Sequence, residues 1–100
     1  MAVASDPECS IALNAHKALV TIKAIVSDAP GSSGAYKLQI YRTDNGNRSV
    51  TSQVGRYRLA RGQSQVVPAR MVLSVTGRSK LVAQMRLSTN KGEFTCSARS

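Results

Sequence analysis

The sequence predicts an all-β chain, an immunoglobulin-like antiparallel β-sandwich of about seven strands. Three observations carry that expectation. Apolar residues recur at every second position through most of the chain, the spacing of strands with one buried face. Clusters of Gly, Asn, Asp, Ser and Pro interrupt this alternation at intervals of roughly 8–15 residues. No stretch reads as a helix: residues 11–26 contain Ala and Leu, but their β-branched residues fall at period two. A chain of 100 residues that is 42% hydrophobic suits one domain. We place it at 9–98, behind a flexible N-terminal tail over 1–8.

Cys9, Ile11 and Leu13 alternate with small or polar residues and form the first strand. After His16-Lys17, Val20, Ile22, Ala24 and Val26 repeat the pattern. Leu19 and Ile25 lie on the other face, so this strand is expected to be partly covered on both sides. Ala29-Pro30-Gly31-Ser32-Ser33-Gly34 reads as a loop. Tyr36, Leu38 and Ile40 then point one way, and Lys37, Gln39 and Tyr41 the other. Asp44-Asn45-Gly46-Asn47 is the strongest turn signal, because Asn-Gly tolerates the positive φ angles of a type I′ hairpin. The strand after it holds Val50, Ser52 and Val54, and Tyr57 and Leu59 continue apolar alternation between Arg56, Arg58 and Arg61. Arg61-Gly62-Gln63 turns again. Past Pro68, Met71, Leu73 and Val75 alternate with Arg70, Val72 and Ser74. Thr76-Gly77-Arg78-Ser79 turns into Leu81, Ala83, Met85 and Leu87, and Asn90-Lys91-Gly92 into Phe94 and Cys96.

The charge is large and unevenly spread. Fourteen Lys and Arg stand against five Asp and Glu, a net charge of +9. No acid occurs from Asn45 to Gly92, where Arg48, Arg56, Arg58, Arg61, Arg70, Arg78, Lys80, Arg86 and Lys91 all lie. A one-signed field of this kind attracts acidic partners: nucleic acid, an anionic membrane surface or an acidic protein. No apolar run approaches the roughly 18–20 residues of a membrane-spanning helix. Nucleic acid is disfavoured: the chain offers no recognition helix, and four aromatics without Trp make a poor stacking platform. By alternation, Lys37, Arg56, Arg58, Arg70 and Arg86 point outward.

Catalytic chemistry finds no foothold. His16 is the one histidine, without a nearby partner motif, and the five carboxylates are scattered. No Gly-rich loop links a strand to a helix, and two Cys with one His cannot complete a zinc tetrahedron. Enzyme activity, catalytic residues, a metal site, a cofactor and a small-molecule substrate are therefore not expected. Asn47-Arg48-Ser49 matches a glycosylation acceptor, but the hairpin turn already explains the Asn. The cysteines admit two readings: an end-to-end Cys9–Cys96 disulfide in an oxidising compartment, or two buried thiols. The first is our expectation, since both fall in phase with apolar faces. Met1-Ala2-Val3-Ala4 leads straight into Ser5-Asp6-Pro7, so the chain reads as a mature secreted form whose signal peptide has been removed.

From about Tyr36 to Cys96 the pattern resembles the small periplasmic curli-assembly chaperones, CsgC and its relative CsgH. The residues that carry the likeness are the Leu38-x-Ile40 strand, the Gly46-Asn47 hairpin, Ser52-Gln53 leading to Leu59-Ala60-Arg61-Gly62, the strand Met71-Val72-Leu73-Ser74-Val75 and the final Gly-containing hairpin. With one Cys near each end, the chain looks most like the CsgH branch. The resemblance implies an immunoglobulin-like fold, a periplasmic location and inhibition of amyloid nucleation by the acidic, CsgA-like curli subunit, guided by electrostatic attraction. It also marks a departure. CsgC has a Cys-x-Cys where this chain reads Ala35-Tyr36-Lys37, so a redox role attached to that motif does not transfer.

Under this reading the client-binding patch is expected to be Lys37, Arg42, Arg56, Arg58, Arg61 and Arg86, with Lys23 and Arg70 facing away on the other sheet. The protein is expected to act as a monomer. The alternative function is a basic binding module for another acidic ligand such as nucleic acid.

Overall fold

The computed structural model describes residues 7–75 and 79–99. Residues 1–6 of the expected tail, and Thr76-Gly77-Arg78 of the expected turn, lie outside them. Within them, the first strand starts at Glu8 and Pro7 is buried. Seven strands follow in order: β1 (Glu8–His16), β2 (Leu19–Ser27), β3 (Ser33–Asp44), β4 (Asn47–Arg58), β5 (Gln65–Ser74), β6 (Lys80–Thr89) and β7 (Gly92–Arg99). They form two antiparallel sheets, ordered β1-β2-β5 and β4-β3-β6-β7. This is the seven-strand, two-sheet sandwich that the alternation predicts.

The core comes from one face of each sheet. Val20, Ile22, Ala24 and Val26 of β2 meet Tyr36, Leu38 and Ile40 of β3 and Leu81, Ala83, Met85 and Leu87 of β6. The same residues alternate in the sequence, so period two translated directly into burial. Burying each Leu or Ile contributes roughly 1.5–3 kcal/mol. In β2, Ile25 is half-buried while Leu19 is 47% exposed. The partial cover expected on its outer face therefore stops short of the strand's start.

The hairpins obey their turn chemistry. Asn45 and Gly46 have φ of 50° and 84° between the paired Asp44 and Asn47, both positive as a type I′ turn requires. Strand β5 departs from expectation by beginning at Gln65, ahead of Pro68. Its register with β2 shifts between Ala24 and Val26, and Pro68 falls inside that bulge. A bulged edge strand tolerates a residue that cannot donate to the ladder.

The two edges of the sandwich close differently. A disulfide joins Cys9 of β1 to Cys96 of β7, with 5.8 Å between their Cα atoms. At the opposite edge, two tyrosines lie over two glycines. In the β3–β4 register Tyr36 faces Gly55 and Gly34 faces Tyr57. A Cβ on Gly55 would sit 2.8 Å from the Tyr36 hydroxyl, and one on Gly34 would sit 2.6 Å from that of Tyr57. Here glycine serves close approach. The Tyr36 hydroxyl donates to the Pro68 carbonyl of β5 at 3.2 Å, joining the sheets.

Candidate functional site

Strand parity decides which charged side chains share a surface. In β4 the even-numbered residues face away from the core, since Tyr57 is buried and the register with β3 runs unbroken from Asp44–Asn47 to Ser33–Arg58. Arg48, Val50, Ser52, Val54, Arg56 and Arg58 therefore stand on the outer face of the four-stranded sheet. Beside them lie Lys37 of β3, Lys80 and Arg86 of β6, and Arg99 of β7. All seven cations are exposed. Among the described residues one acid, Glu93, shares this face. The outer face of β1-β2-β5 carries Lys23 and Arg70, paired across strands, with Glu8.

Four of the six residues expected to bind the client, Lys37, Arg56, Arg58 and Arg86, are thus brought onto one face. Arg42 is not. It has the parity of the buried Leu38 and Ile40, and its guanidinium lies 3.7 Å from the Asp44 carboxylate. Arg61 sits in the exposed turn after β4, off the sheet. The register adds Arg48, Lys80 and Arg99, which the sequence reading left out of the patch. Their signal was available: each sits an even number of residues from an outward position on its own strand.

Lys37 and Arg86 are direct cross-strand partners. Like charges in that position are destabilising, so this pair costs stability where it stands. Beside it, a shallow groove of about 570 Å³ is floored by Gln39 and Gln84 and flanked by Thr95 and Ser97. The Tyr41 hydroxyl donates to the Gln39 side-chain oxygen at 3.1 Å. Towards the β3–β4 turn, Tyr41, Arg48, Val50 and Val82 line a second groove of about 530 Å³. Arg56 and Arg58 reach a third, of about 860 Å³, between the β2–β3 loop and the β6–β7 turn. The face thus offers guanidinium, ammonium, amide and hydroxyl groups across open, shallow relief. Such a surface suits carboxylates on an extended chain better than an enclosed small molecule.

Behind the third groove, Asp28 is buried. Its carboxylate accepts from the Ala29 N–H at 2.7 Å and pairs with the Lys91 ammonium at 3.3 Å. The Tyr57 hydroxyl is buried without a hydrogen-bond partner among the described residues. Burial first, and the Asp28 charge second, push its pKa above the usual value. His16 is exposed at the end of β1, on the outer side of the other sheet. Among the described residues no helix is long and apolar enough to cross a membrane.

No family model matches the sequence, and no curated protein matches it. Solved structures do match. CsgH of R. palustris aligns with a TM-score of 0.75 at 18% identity, over 92% of this chain and 90% of that one. The E. coli curli protein CsgC aligns with a TM-score of 0.68 at 14% identity, over 94% of this chain and 97% of that one. The chain has the fold of these two proteins, the fold that the resemblance in its sequence implies.

Proposed function

We propose that this protein is a periplasmic, chaperone-like inhibitor of curli subunit amyloid formation. It is a non-enzymatic monomer that binds the acidic subunit transiently through the outer face of the β4-β3-β6-β7 sheet. The observation that carries this reading is that, among the described residues, seven outward cations stand against one acid on that face. Two further points support it: the fold shared with CsgH and the curli protein CsgC, and the Cys9–Cys96 disulfide, which suits an oxidising compartment.

The mechanism follows from electrostatics and open relief. A one-signed surface draws an acidic chain in from a distance of about one Debye length, near 10 Å at 0.1 M salt, and releases it as salt screens the attraction. Exposed cations on shallow grooves favour many brief contacts over one deep site. Amyloid nucleation needs several chains to stack strands in register, so occupying single chains briefly lowers the chance that a nucleus forms. Neither ATP nor a catalytic group is required.

Dye-monitored fibrillation of an acidic curli subunit, with this protein substoichiometric, tests the proposal. A lengthened lag at low salt that shrinks severalfold at high salt is the expected result. Reversing Arg56, Arg58 and Arg86 to Glu should abolish the delay while circular dichroism stays unchanged. The matching reversal of Lys23 and Arg70 should leave it. No delay at either salt overturns the reading, and binding of duplex DNA in preference to the subunit replaces it with the nucleic-acid module.

A further inference from the structure

Each exposed sheet edge is a template for another strand unless something blunts it. Three of the four edges here are managed. Those of β1 and β7 are stapled to each other by Cys9–Cys96, and β5 is interrupted by its bulge and Pro68. Strand β4 has none of these devices. Its twelve residues hold no Pro and no Lys, its register with β3 is unbroken, and no strand pairs with its far side among the described residues. Val50 and Val54 on it are 56% and 69% exposed.

The direction of its backbone groups follows from the turn. A two-residue hairpin turn closes on a pair that exchanges both hydrogen bonds, here Asp44 and Asn47. Odd-numbered residues of β4 therefore spend their N–H and C=O groups on β3. Leu59 continues the rule, donating its N–H to the Ser32 carbonyl at 2.9 Å. The even-numbered residues, Arg48, Val50, Ser52, Val54 and Arg56, turn theirs towards the open edge. Those same residues carry the outward side chains.

We propose that an extended acidic segment of the client adds to β4 as a fifth strand of the β4-β3-β6-β7 sheet. This inference rests on the reading of the cationic face given above and adds a binding mode to it. Backbone hydrogen bonds to Arg48–Arg56 supply the docking, and side chains on the outer face supply selectivity. The order Arg-x-Val-x-Ser-x-Val-x-Arg is symmetric about Ser52. It accepts acid-x-apolar-x-polar-x-apolar-x-acid with the incoming strand running in either direction. The same symmetry rejects self-pairing. A second copy laid antiparallel about Ser52 sets Arg48 against Arg56 at both ends, where like charges repel. The edge thus disfavours this pairing with its own kind and favours an acidic strand.

The probe is a twelve-residue peptide with Asp eight positions apart and Val at the two inner positions, against a scrambled peptide of identical composition. Binding at least tenfold tighter than the scramble is expected. Amide exchange in the unaltered protein should slow at Val50, Ser52 and Val54 when the peptide is bound. Ser52→Pro removes an outward N–H without touching the β3 ladder or any charge, so it should abolish fibrillation delay while Ser52→Ala keeps it. Equal binding of the two peptides, or bound peptide with unprotected amides, overturns the added strand even if Ser52→Pro does not fold. Full inhibition by a folded Ser52→Pro, together with loss of inhibition when Arg56, Arg58 and Arg86 become Glu, overturns the added strand and leaves the cationic-face reading standing. Unchanged inhibition by the charge-reversed variant overturns both.

Discussion

The two edges of this sandwich solve one problem by opposite means. At the β1–β7 edge a covalent bond between Cys9 and Cys96 holds the sheets together. At the β4–β5 edge the join is Tyr36 lying over Gly55, with its hydroxyl on the Pro68 carbonyl. The disulfide spans 87 residues of sequence and acts chiefly on the unfolded chain, whose freedom it removes. The tyrosine–glycine contacts act on the native state alone, through packing and one hydrogen bond. The covalent edge is therefore the one that a reductant releases. The aromatic edge responds to single atoms, and it leaves the neighbouring strand β4 available for other work.

Breaking the covalent edge should have the largest effect. Replacing Cys9 and Cys96 by Ala is expected to cost about 4–5 kcal/mol in denaturant unfolding, the chain-entropy value for a loop of this length. Reductant should lower the unfolding midpoint of the native protein towards that of the variant. A midpoint indifferent to reductant would show that packing alone holds this edge.

The aromatic edge is probed next by Gly55→Ala. Its new Cβ would stand 2.8–3.0 Å from the Tyr36 ring and hydroxyl, closer than contacts allow, so the ring must shift off Pro68. A loss of about 2 kcal/mol is expected. An unchanged thermal midpoint would mean that Tyr36 moves at no cost and does not join the sheets.

Tyr36→Phe isolates the hydrogen bond from the packing. It keeps the ring over Gly55 and deprives the Pro68 carbonyl of its donor, for a loss of about 1 kcal/mol. The Gln53 side-chain amide, which donates to the same hydroxyl at 3.4 Å, loses its acceptor too. A loss as large as that of Gly55→Ala would assign the whole effect to the hydrogen bond.

The smallest change should be a gain. Tyr57→Phe removes a buried hydroxyl without a partner among the described residues, and stabilisation of up to about 1 kcal/mol is expected. The pH dependence has a definite sign. Burial and then Asp28 raise the folded pKa of Tyr57, whereas an unfolded tyrosine ionises at about 10. The folded chain holds this proton more tightly. The stability it confers is complete below about pH 10 and is lost as pH rises from there through the folded value. Chemical denaturation from pH 8 to 11 should show the native protein falling more steeply than Tyr57→Phe, and parallel curves would exclude Tyr57 as the cause.

Much of the fold was legible because burial in a sandwich follows local alternation. The buried set Val20-Ile22-Ala24-Val26 and the Asn45-Gly46 turn needed no information beyond their own neighbours. Pro68 misled because a proline normally ends a strand, and only a bulge opposite Ala24 and Val26 admits it. Gly34 read as loop for a similar reason. Its place inside β3 depends on the Tyr57 ring of another strand. Of the candidate site, Lys37, Arg56, Arg58 and Arg86 could be read from alternation, and so could the exclusion of Arg42, which shares the parity of the inward Leu38 and Ile40 and lies by Asp44. Arg99 has the outward parity of its strand but lies one residue past the expected end of the domain at 98, and its pairing with Val82 is what keeps it on the sheet.

By itself the sequence determined the class of fold, the Asn-Gly turn, the inward residues of β2, β3 and β6, and the basic excess. Each is a property of neighbours along the chain: period two sets the faces, Asn-Gly sets the hairpin, and composition sets the charge. Tertiary structure alone decided which strands share a sheet. That choice gathered seven cations on one face and left two on the other. It brought Cys9 to Cys96, laid tyrosines over glycines, and left β4 at an edge with its Arg and Val residues outward. These outcomes depend on contacts between residues far apart in sequence, which local periodicity cannot encode.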